Sequence, residues 1–365
     1  AGYAGTGKST LVKFLISELG IPQEDIAYAC FTGKAALVLQ QKGQAAMTLH
    51  KLLYNSFKRP DGTFGHIPKD ELDKDYKLIV IDEVSMCPAN IWQQALKHNV
   101  HIIALGDPFQ LPPIGEDNGI LAEPHIFLDE VMRQALESDI IKLSMDIRAG
   151  KPLQLMNGND VKVVSKDQLV AGMYTWADQI LCGKNATRRM INAQMRQLLG
   201  YGEEPQVGDK VICLRNYWDD LSKNEDPLVN GTIGILKNSF KTWREIPYIV
   251  KSPIRRFDVL TGDLIIPETQ DCYPMTEMDY KMITTNQKCC DWKLSYKLGQ
   301  LRQKYGEIVP KEFSYAYAIT CHKAQGSEWP NVVVLEETFP FNKVEHAQWL
   351  YTACTRASEK LVLVR

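Results

Sequence analysis

Nine residues near the start of the chain constrain its fold more than any other part of the sequence: they read Gly2-Tyr3-Ala4-Gly5-Thr6-Gly7-Lys8-Ser9-Thr10. Glycine at the turning points lets the backbone direct its N–H groups at phosphate oxygens without a Cβ clash. We expect Lys8 to reach the β- and γ-phosphates of a nucleotide and Ser9 to bind Mg²⁺. The apolar positions from 11 to 19 predict a helix whose N-terminus faces those phosphates. The residues expected to bind the nucleotide are Gly2, Gly5, Thr6, Gly7, Lys8, Ser9 and Thr10.

A loop of this kind normally follows a buried strand, and only Ala1 precedes Gly2 in the sequence. We therefore expect the sequence to be N-terminally incomplete, or numbered from a point inside a longer protein. On that interpretation, the first strand of the sheet and the segment that contacts adenine lie upstream of residue 1.

Length and composition set broad limits. The 365 residues suffice for two or three domains, and 45% hydrophobic and 24% charged residues are ordinary for a globular protein. The 42 basic and 44 acidic side chains leave a net charge of −2, which does not by itself indicate a nucleic-acid binder. A basic groove within a neutral protein is compatible with that balance. The apolar runs are too short for a membrane helix, so we expect no membrane association.

The nine cysteines are odd in number and form no C-x-x-C pair, so we expect reduced thiols in a cytoplasmic protein, bacterial or in a phage-infected host. His98 and His101 form an isolated H-x-x-H. Two ordinary histidines are a far better interpretation of that pair than a metal site.

Alternating strands and helices occupy the first third of the chain. The continuous apolar runs at 78–81 and 100–105 are typical of buried parallel strands, and the carboxyl ends of such strands converge on a ligand. We predict an α/β domain over 1–135 with a hairpin insertion at about 52–76, and a second α/β domain formed by 136–204 and 311–365. Short alternating strands with glycine turns predict a small barrel within an insertion at 205–310, followed by a helical extension.

Two carboxylates end the strand at 78–81. We expect Asp82 to bind Mg²⁺ and Glu83 to polarise the attacking water. Gln110, in the proline-rich loop after the next apolar run, is suited to hydrogen-bond the γ-phosphate or that water. Arg356 and Arg133 are candidates to stabilise charge on the transferred phosphoryl group, although a surface ion pair is the commoner role for any single arginine.

Taken together, these motifs resemble those of superfamily 1 helicases, specifically the 5′-to-3′ branch typified by RecD and the phage protein Dda. The matching stretches fall in the order found in that branch, at 2–10, 32–36, 48–50, 82–86, 106–113, 128–134, 318–329 and 350–357. The segments at 208–211 and 230–234 resemble its SH3-like insertion. The first strand and the adenine-contacting glutamine of the family are not matched.

The resemblance implies an α/β protein with two RecA-like P-loop domains, ATP and Mg²⁺ as ligands, and Arg133 and Arg356 as arginine fingers. It implies a small hairpin inserted in the first domain and an SH3-like β-barrel in the second. Gly326 and Glu328 would lie near the nucleotide or the strand. The residues that would contact nucleic acid are Thr32, Thr48, His50, Phe57, Phe64, His322 and Lys323, with 57–64 as the duplex-splitting pin.

The function expected from the resemblance is ATP-dependent, 5′-to-3′ movement on single-stranded DNA with separation of duplex. The expected partners are single-stranded DNA and duplex junctions, with single-strand-binding or replication and recombination proteins as further candidates and a monomer as the expected state. An RNA helicase of the same superfamily and a catalytically silent single-strand-binding scaffold remain as alternatives. A P-loop kinase is disfavoured because such kinases lack the blocks at 320–329 and 350–357.

Overall fold

The computed structural model describes residues 1–59, 64–113, 115–132, 135–221, 227–267, 269–338 and 342–365. They divide into two compact units. The first unit contains Ala1–Tyr54, Pro68–Ile191 and Ala318–Arg365, and the second contains Asn55–Ile67 and Asn192–Tyr317. Within the described residues, no helix is both long enough and apolar enough to cross a membrane.

Helices and strands are numbered here in chain order. The strands are β1 (Ile26–Cys30), β2 (Ala46–Thr48), β3 (Tyr54–Lys58), β4 (Phe64–Pro68), β5 (Leu78–Asp82), β6 (His101–Ala104), β7 (Met156–Asn157), β8 (Val161–Val164), β9 (Gln179–Cys182), β10 (Lys210–Cys213), β11 (Tyr217–Leu221), β12 (Pro227–Leu228), β13 (Ile233–Glu245), β14 (Arg256–Ile265), β15 (Cys272–Asp279), β16 (Phe313–Tyr315), β17 (Ala318–Thr320), β18 (Trp329–Leu335) and β19 (Ala357–Val364). The α-helices are α1 (Lys8–Leu19), α2 (Gly33–Gln41), α3 (Leu49–Leu53), α4 (Ala89–Leu96), α5 (Asp139–Arg148), α6 (Ala171–Trp176), α7 (Asn185–Leu198), α8 (Tyr280–Thr285), α9 (Trp292–Gln300), α10 (Arg302–Tyr305), α11 (Cys321–Ala324) and α12 (Lys343–Cys354).

The first sheet of the first unit is parallel, with strand order β2-β1-β5-β6. Its two central strands are buried on both faces, as their uninterrupted apolar sequences predict. The register pairs Ile26 with Leu78 and Leu78 with His101, so these strands run side by side and end at one edge. That edge carries Asp82, the last residue of β5.

The second sheet of the first unit has the order β17-β9-β18-β19-β8-β7, and all its pairings are parallel except that of the edge strand β7. Valines and leucines fill β18 and β19, where Val333 lies beside Val362. The prediction of two parallel sheets is confirmed. Helix α12 is buried along its second half, including the aromatic side chains of Trp349 and Tyr351.

The second unit is built on an antiparallel sheet with strand order β15-β14-β13-β10-β16. Its core includes Leu260, Leu264 and Phe313. This unit extends beyond the predicted insertion at 205–310, because β16 pairs with β10 and so draws Phe313 into the sheet. The hairpin of β3 and β4 also belongs largely to this unit, although the residues before Asn55 and after Ile67 belong to the first unit.

Candidate active site

The glycine-rich loop wraps tightly before α1. Gly5 and Gly7 have φ of 76° and 78°, in the left-handed region that glycine adopts without strain. A Cβ on Gly2 would lie 2.7 Å from Thr6 Oγ1, so that position has no room for a side chain. The Thr6 hydroxyl and the Lys8 ammonium each donate to the Tyr3 carbonyl at 2.8 Å. Ser9 and Thr10, in the first turn of α1, are exposed.

Lys8 lies among several charged groups, of which Asp107 and Arg356 are buried and Asp82 and Glu83 half-buried. Burial lowers its pKa, while the carboxylates of Asp107, Glu83 and Asp82 oppose that shift and Arg356 adds to it. Groups that are far apart in the sequence therefore surround one ammonium. The carboxylates favour its charged form, which is the form that attracts phosphate.

Asp82 and Glu83 stand at the carboxyl end of β5. Burial raises the pKa of both carboxyl groups, and Lys8 lowers both in part. Asp82 Oδ1 accepts the Glu83 N–H at 2.9 Å. Glu83 has φ 53° and ψ 45°, a left-handed conformation that is unusual for a residue with a side chain. Such backbone strain is concentrated at functional sites.

Gln110 is in the loop that follows β6. It is buried, and its Oε1 has no hydrogen-bond partner among the described residues. An unpaired buried acceptor is costly, so an added donor at this position would be stabilising. The carboxylate of Asp107 in the same loop is also buried, and burial raises its pKa.

Arg356, which follows α12, brings a cation from the second sheet to this site. Its guanidinium donates from Nε to Thr352 O at 3.1 Å and from Nη1 to Ser327 O at 3.3 Å. Burial raises the pKa of Glu83, and Arg356 is the charged group that most lowers that pKa in the opposite direction. The structure thus brings together Lys8, Asp82, Glu83 and Arg356, while Gln110 is linked to this group through the hydrogen bond from its N–H to Asp107 O at 3.2 Å. Arg133, the other candidate finger, lies outside the described residues.

Sequence reasoning missed a set of hydrogen bonds that join the second sheet's helices to these loops. The Tyr351 hydroxyl accepts the Ala4 N–H at 2.8 Å and donates to Asp107 Oδ2 at 2.6 Å. The Thr352 hydroxyl accepts the Leu111 N–H, and the Gln325 side-chain amide donates to the Leu111 carbonyl. The only signal in the sequence was the pair of hydroxyl residues inside an otherwise apolar helical stretch.

The residues at the site suit a nucleotide and its metal ion. Gly5 and Gly7 adopt positive φ values in a tight loop that ends at Lys8. Such a loop directs backbone N–H groups and a lysine ammonium at the phosphates of a nucleotide. The half-buried carboxylate of Asp82 and the exposed hydroxyl of Ser9 are oxygen ligands of the kind that Mg²⁺ prefers. The orphaned Gln110 Oε1 is an acceptor suited to a water hydrogen.

Several residues expected to contact nucleic acid lie near the carboxyl edge of the first sheet. The Thr32 and Thr48 hydroxyls cap α2 and α3, accepting the N–H groups of Ala35 and Lys51 at 3.2 Å. The His50 ring lies between those of Phe31 and Tyr54, with centroids at 5.8 and 5.7 Å. The capping roles account for the two threonines without any ligand.

The remaining candidates are in the second sheet's segment at 322–328. His322 is half-buried, and burial lowers its pKa. Lys323 and Glu328 are exposed. Gly326 has φ 73°, and a Cβ there would lie 3.3 Å from Ala35 Cβ of α2, so this position also requires glycine.

The hairpin carries one described aromatic candidate. The Phe57 side chain is 47% exposed and its ring lies over Gly65, where a Cβ would approach to 2.3 Å. Residues 60–63 and the side chain of Phe64 lie outside the described part of the chain. The two strands pair as the Asp-Gly turn signal predicts.

Comparison with known proteins gives matches over both ends of the chain. Residues 1–166 match the family described as an AAA domain. Residues 315–364 match the family described as a UvrD-like helicase C-terminal domain. The ATP-dependent RecD2 DNA helicase of Deinococcus radiodurans is 26% identical over 396 residues, covering 98% of this chain. The chain spans 45% of the length of that relative.

Two solved structures share the fold. Pif1 helicase from Candida albicans has a TM-score of 0.54 at 17% identity, over 100% of this chain and 89% of that one. Pif1 helicase from Bacteroides in complex with ADP-AlF3 and ssDNA has a TM-score of 0.50 at 19% identity, over 99% of this chain and 87% of that one.

Proposed function

We propose that this chain, which belongs to the superfamily 1 helicases, couples ATP hydrolysis to movement along single-stranded DNA and to separation of duplex. The observation that carries the proposal is the convergence of Arg356 with Lys8 and Glu83. The arginine comes from one sheet, whereas the phosphate loop and the carboxylate that would activate water belong to the other. Turnover would therefore depend on how closely the two sheets approach each other.

The roles follow from chemistry. Lys8 and the loop N–H groups would bind the phosphates, and Glu83 would take a proton from the attacking water. Gln110 would orient that water, and Arg356 would stabilise the charge that develops on the phosphoryl group. Mg²⁺ held by Ser9 and Asp82 would neutralise phosphate charge. Gly326 and Glu328 would border the nucleotide or the strand. We retain Arg133 as a second candidate finger.

Single-stranded DNA is the proposed track. The names of the relatives support DNA, since RecD2 is a DNA helicase and the Bacteroides Pif1 structure contains ssDNA. The edge that carries Thr32, Thr48 and the His50 ring cluster offers polar groups and a stacking surface, and His322 and Lys323 add further polar groups. Such contacts grip a strand without reading its sequence.

We further propose 5′-to-3′ polarity, a monomer and a cytoplasmic location, bacterial or in a phage-infected host. We propose two RecA-like domains with the predicted bounds, except that the insertion in the second takes in Asn192–Tyr317, and we assign the antiparallel sheet of that unit as an SH3-like module. The cysteines support a reducing compartment, since none of the nine, all of which the structure describes, is in a disulfide. Single-strand-binding or replication and recombination proteins remain candidate partners.

The test measures ATP hydrolysis with no nucleic acid, with single-stranded DNA and with RNA of the same length and sequence. The expected result is turnover stimulated by DNA more than by RNA. A strand-separation assay on duplexes with a 5′ or a 3′ single-stranded tail then tests polarity. Equal stimulation by RNA would favour the RNA helicase, and an ATPase indifferent to both would overturn the proposal.

A further inference from the structure

The hydroxyl of Tyr351 joins the two loops that border the nucleotide. Tyr351 is fully buried, with an exposed fraction of 0%. Its oxygen accepts the N–H of Ala4 in the glycine-rich loop at 2.8 Å and donates to Oδ2 of Asp107 in the loop after β6 at 2.6 Å. A single side chain of α12 therefore satisfies a polar group in each loop.

The loop after β6 is held at its start through the carboxylate of Asp107. Its Oδ1 accepts the Phe109 N–H at 3.0 Å, while Oδ2 accepts the tyrosine hydroxyl. The Phe109 ring meets the Tyr351 ring edge to face, with centroids 5.3 Å apart. Both oxygens of this buried carboxylate thus have partners, and one of those partners comes from α12.

The same loop is held at its other end by two more groups that come from the second sheet's helices. Thr352 Oγ1 accepts the Leu111 N–H at 2.9 Å. Gln325 Nε2 donates to the Leu111 carbonyl at 3.2 Å. Gln110 stands between these two anchored points, with its Oε1 unpartnered among the described residues.

We propose that Tyr351 is a positioning residue for hydrolysis: its hydroxyl ties the phosphate loop to Asp107, so that Gln110 is placed only while α12 is docked. The inference rests on the proposed ATPase function and adds a residue to it. Tyr351 touches no reacting atom. It acts through Asp107 on Gln110 and through Ala4 on the phosphate loop.

Loss of the Tyr351 hydroxyl would leave both of its hydrogen-bond partners unpaired. Replacement by phenylalanine keeps the ring packed against Phe109 but deprives Asp107 Oδ2 and the Ala4 N–H of their partners. A buried charged acceptor that loses its donor seeks another, so the loop shifts. A displacement of about 1 Å in a positioning group can slow a reaction on the order of a hundredfold.

The experiment is a double-mutant cycle on the full chain, with ATPase measured in the presence of single-stranded oligo-dT. We expect Tyr351→Phe to lower kcat about tenfold to a hundredfold while the KM for ATP changes less than about threefold. Gln110→Ala should slow the wild type but add little in the Tyr351→Phe background, because the glutamine is already misplaced.

A merely structural role would give independent effects, so additive losses in the cycle would overturn the inference, as would unchanged kcat in Tyr351→Phe. Tyr273→Phe is the matched control: this buried tyrosine donates to Pro227 O at 3.2 Å in the second unit, and we expect wild-type kcat. If Tyr351→Phe does not fold, Asp107→Asn enters the same cycle with the same expected non-additivity. A wild type that fails to hydrolyse ATP would instead refute the proposed function.

Discussion

At the scale of single residues, Glu83 carries the most unusual combination of features in the site. It is half-buried, its backbone is left-handed with φ 53°, and Arg356 from the other sheet is the charged group that most lowers its pKa against the effect of burial. A left-handed residue with a side chain costs about 1–2 kcal/mol. Partial burial of its carboxylate adds to that cost, so this position favours chemistry over stability.

Glu83→Gln is therefore expected to change turnover and stability in opposite directions. Turnover should fall on the order of a hundredfold or more because the amide cannot accept the water's proton, while ATP binding persists. The melting temperature should rise because the substitution removes a half-buried charge but keeps the shape of the side chain. ATPase and thermal unfolding on the same preparation test this. Near-normal turnover would remove Glu83 from the mechanism.

The acid side of the pH–rate profile tests the same residue. Burial raises the pKa of Glu83, so the carboxylate takes up a proton at a higher pH than an ordinary glutamate does. A base must be ionised, so kcat/KM should decline as the pH falls through that raised pKa. Asp82 and Asp107 are raised in the same direction, so the apparent value belongs to the cluster. A decline confined to the usual glutamate range would contradict this assignment.

Arg356 is expected to affect turnover far more than ATP affinity. Arginine fingers contribute roughly 10³–10⁵ in rate where measured, so Arg356→Ala should bind ATP and hydrolyse it slowly. Arg356→Lys keeps a charge but loses the forked donors, so it should recover only part of the rate. Arg365→Ala, which removes an ion pair with Glu336, is the control and should retain wild-type turnover. Equal rates in Arg356→Ala and the wild type would exclude the finger.

At the scale of elements, the two apolar runs that form β5 and β6 were readable from the sequence, whereas the second sheet was predicted only as part of an α/β domain. Uninterrupted apolar runs leave few alternatives to a buried strand, which is why β5 and β6 fall within a residue or two of their predicted bounds. The position of Asp82 beside the phosphate loop followed from the convergence of strand ends.

The role of Tyr351 could not be predicted from sequence in the same way. Its hydrogen-bond partners Ala4 and Asp107 are 347 and 244 residues away in the chain. A tyrosine in an apolar helix is indistinguishable from core packing until the fold places those loops beside it. Thr32 illustrates the opposite case: it was expected to contact nucleic acid, but its hydroxyl caps α2 by accepting the Ala35 N–H, a common structural role for threonine.

The hairpin of β3 and β4 gives a prediction that belongs to the element. Phe57→Ala is expected to lower duplex unwinding while leaving DNA-stimulated ATPase nearly intact, because a half-exposed ring can stack on the last base pair. Ile67→Ala is the matched control, since this side chain is 57% exposed on the other strand of the hairpin. Strand separation is measured beside ATPase. If both activities fall together, the Phe57 ring has a structural role. If neither falls, the duplex-splitting pin lies elsewhere in the chain.

At the scale of the whole molecule, the net charge of −2 gives no general attraction to nucleic acid. Binding to a strand must therefore come from local phosphate contacts and stacking. We expect affinity for single-stranded DNA to fall steeply between about 50 mM and about 200 mM salt, with a logarithmic slope of about −0.7 for each phosphate contacted. Fluorescence anisotropy with labelled oligo-dT measures the slope. A mixed-sequence oligonucleotide of equal length should bind similarly, and an affinity that does not change with salt would contradict binding through phosphate contacts.

The order of strands in the second sheet has a consequence for how the protein is made. Strand β9 lies between β17 and β18, and β19 lies between β18 and β8. The partners of β9 are therefore synthesised only after the entire segment Asn192–Tyr317. The four described strands of the sheet β2-β1-β5-β6 all precede residue 105, so they can pair earlier. Until β18 and β19 are made, the apolar strands β8 and β9 lack their parallel partners, so we expect this sheet to form later than the first and its strand edges to be open to wrong pairing in the meantime.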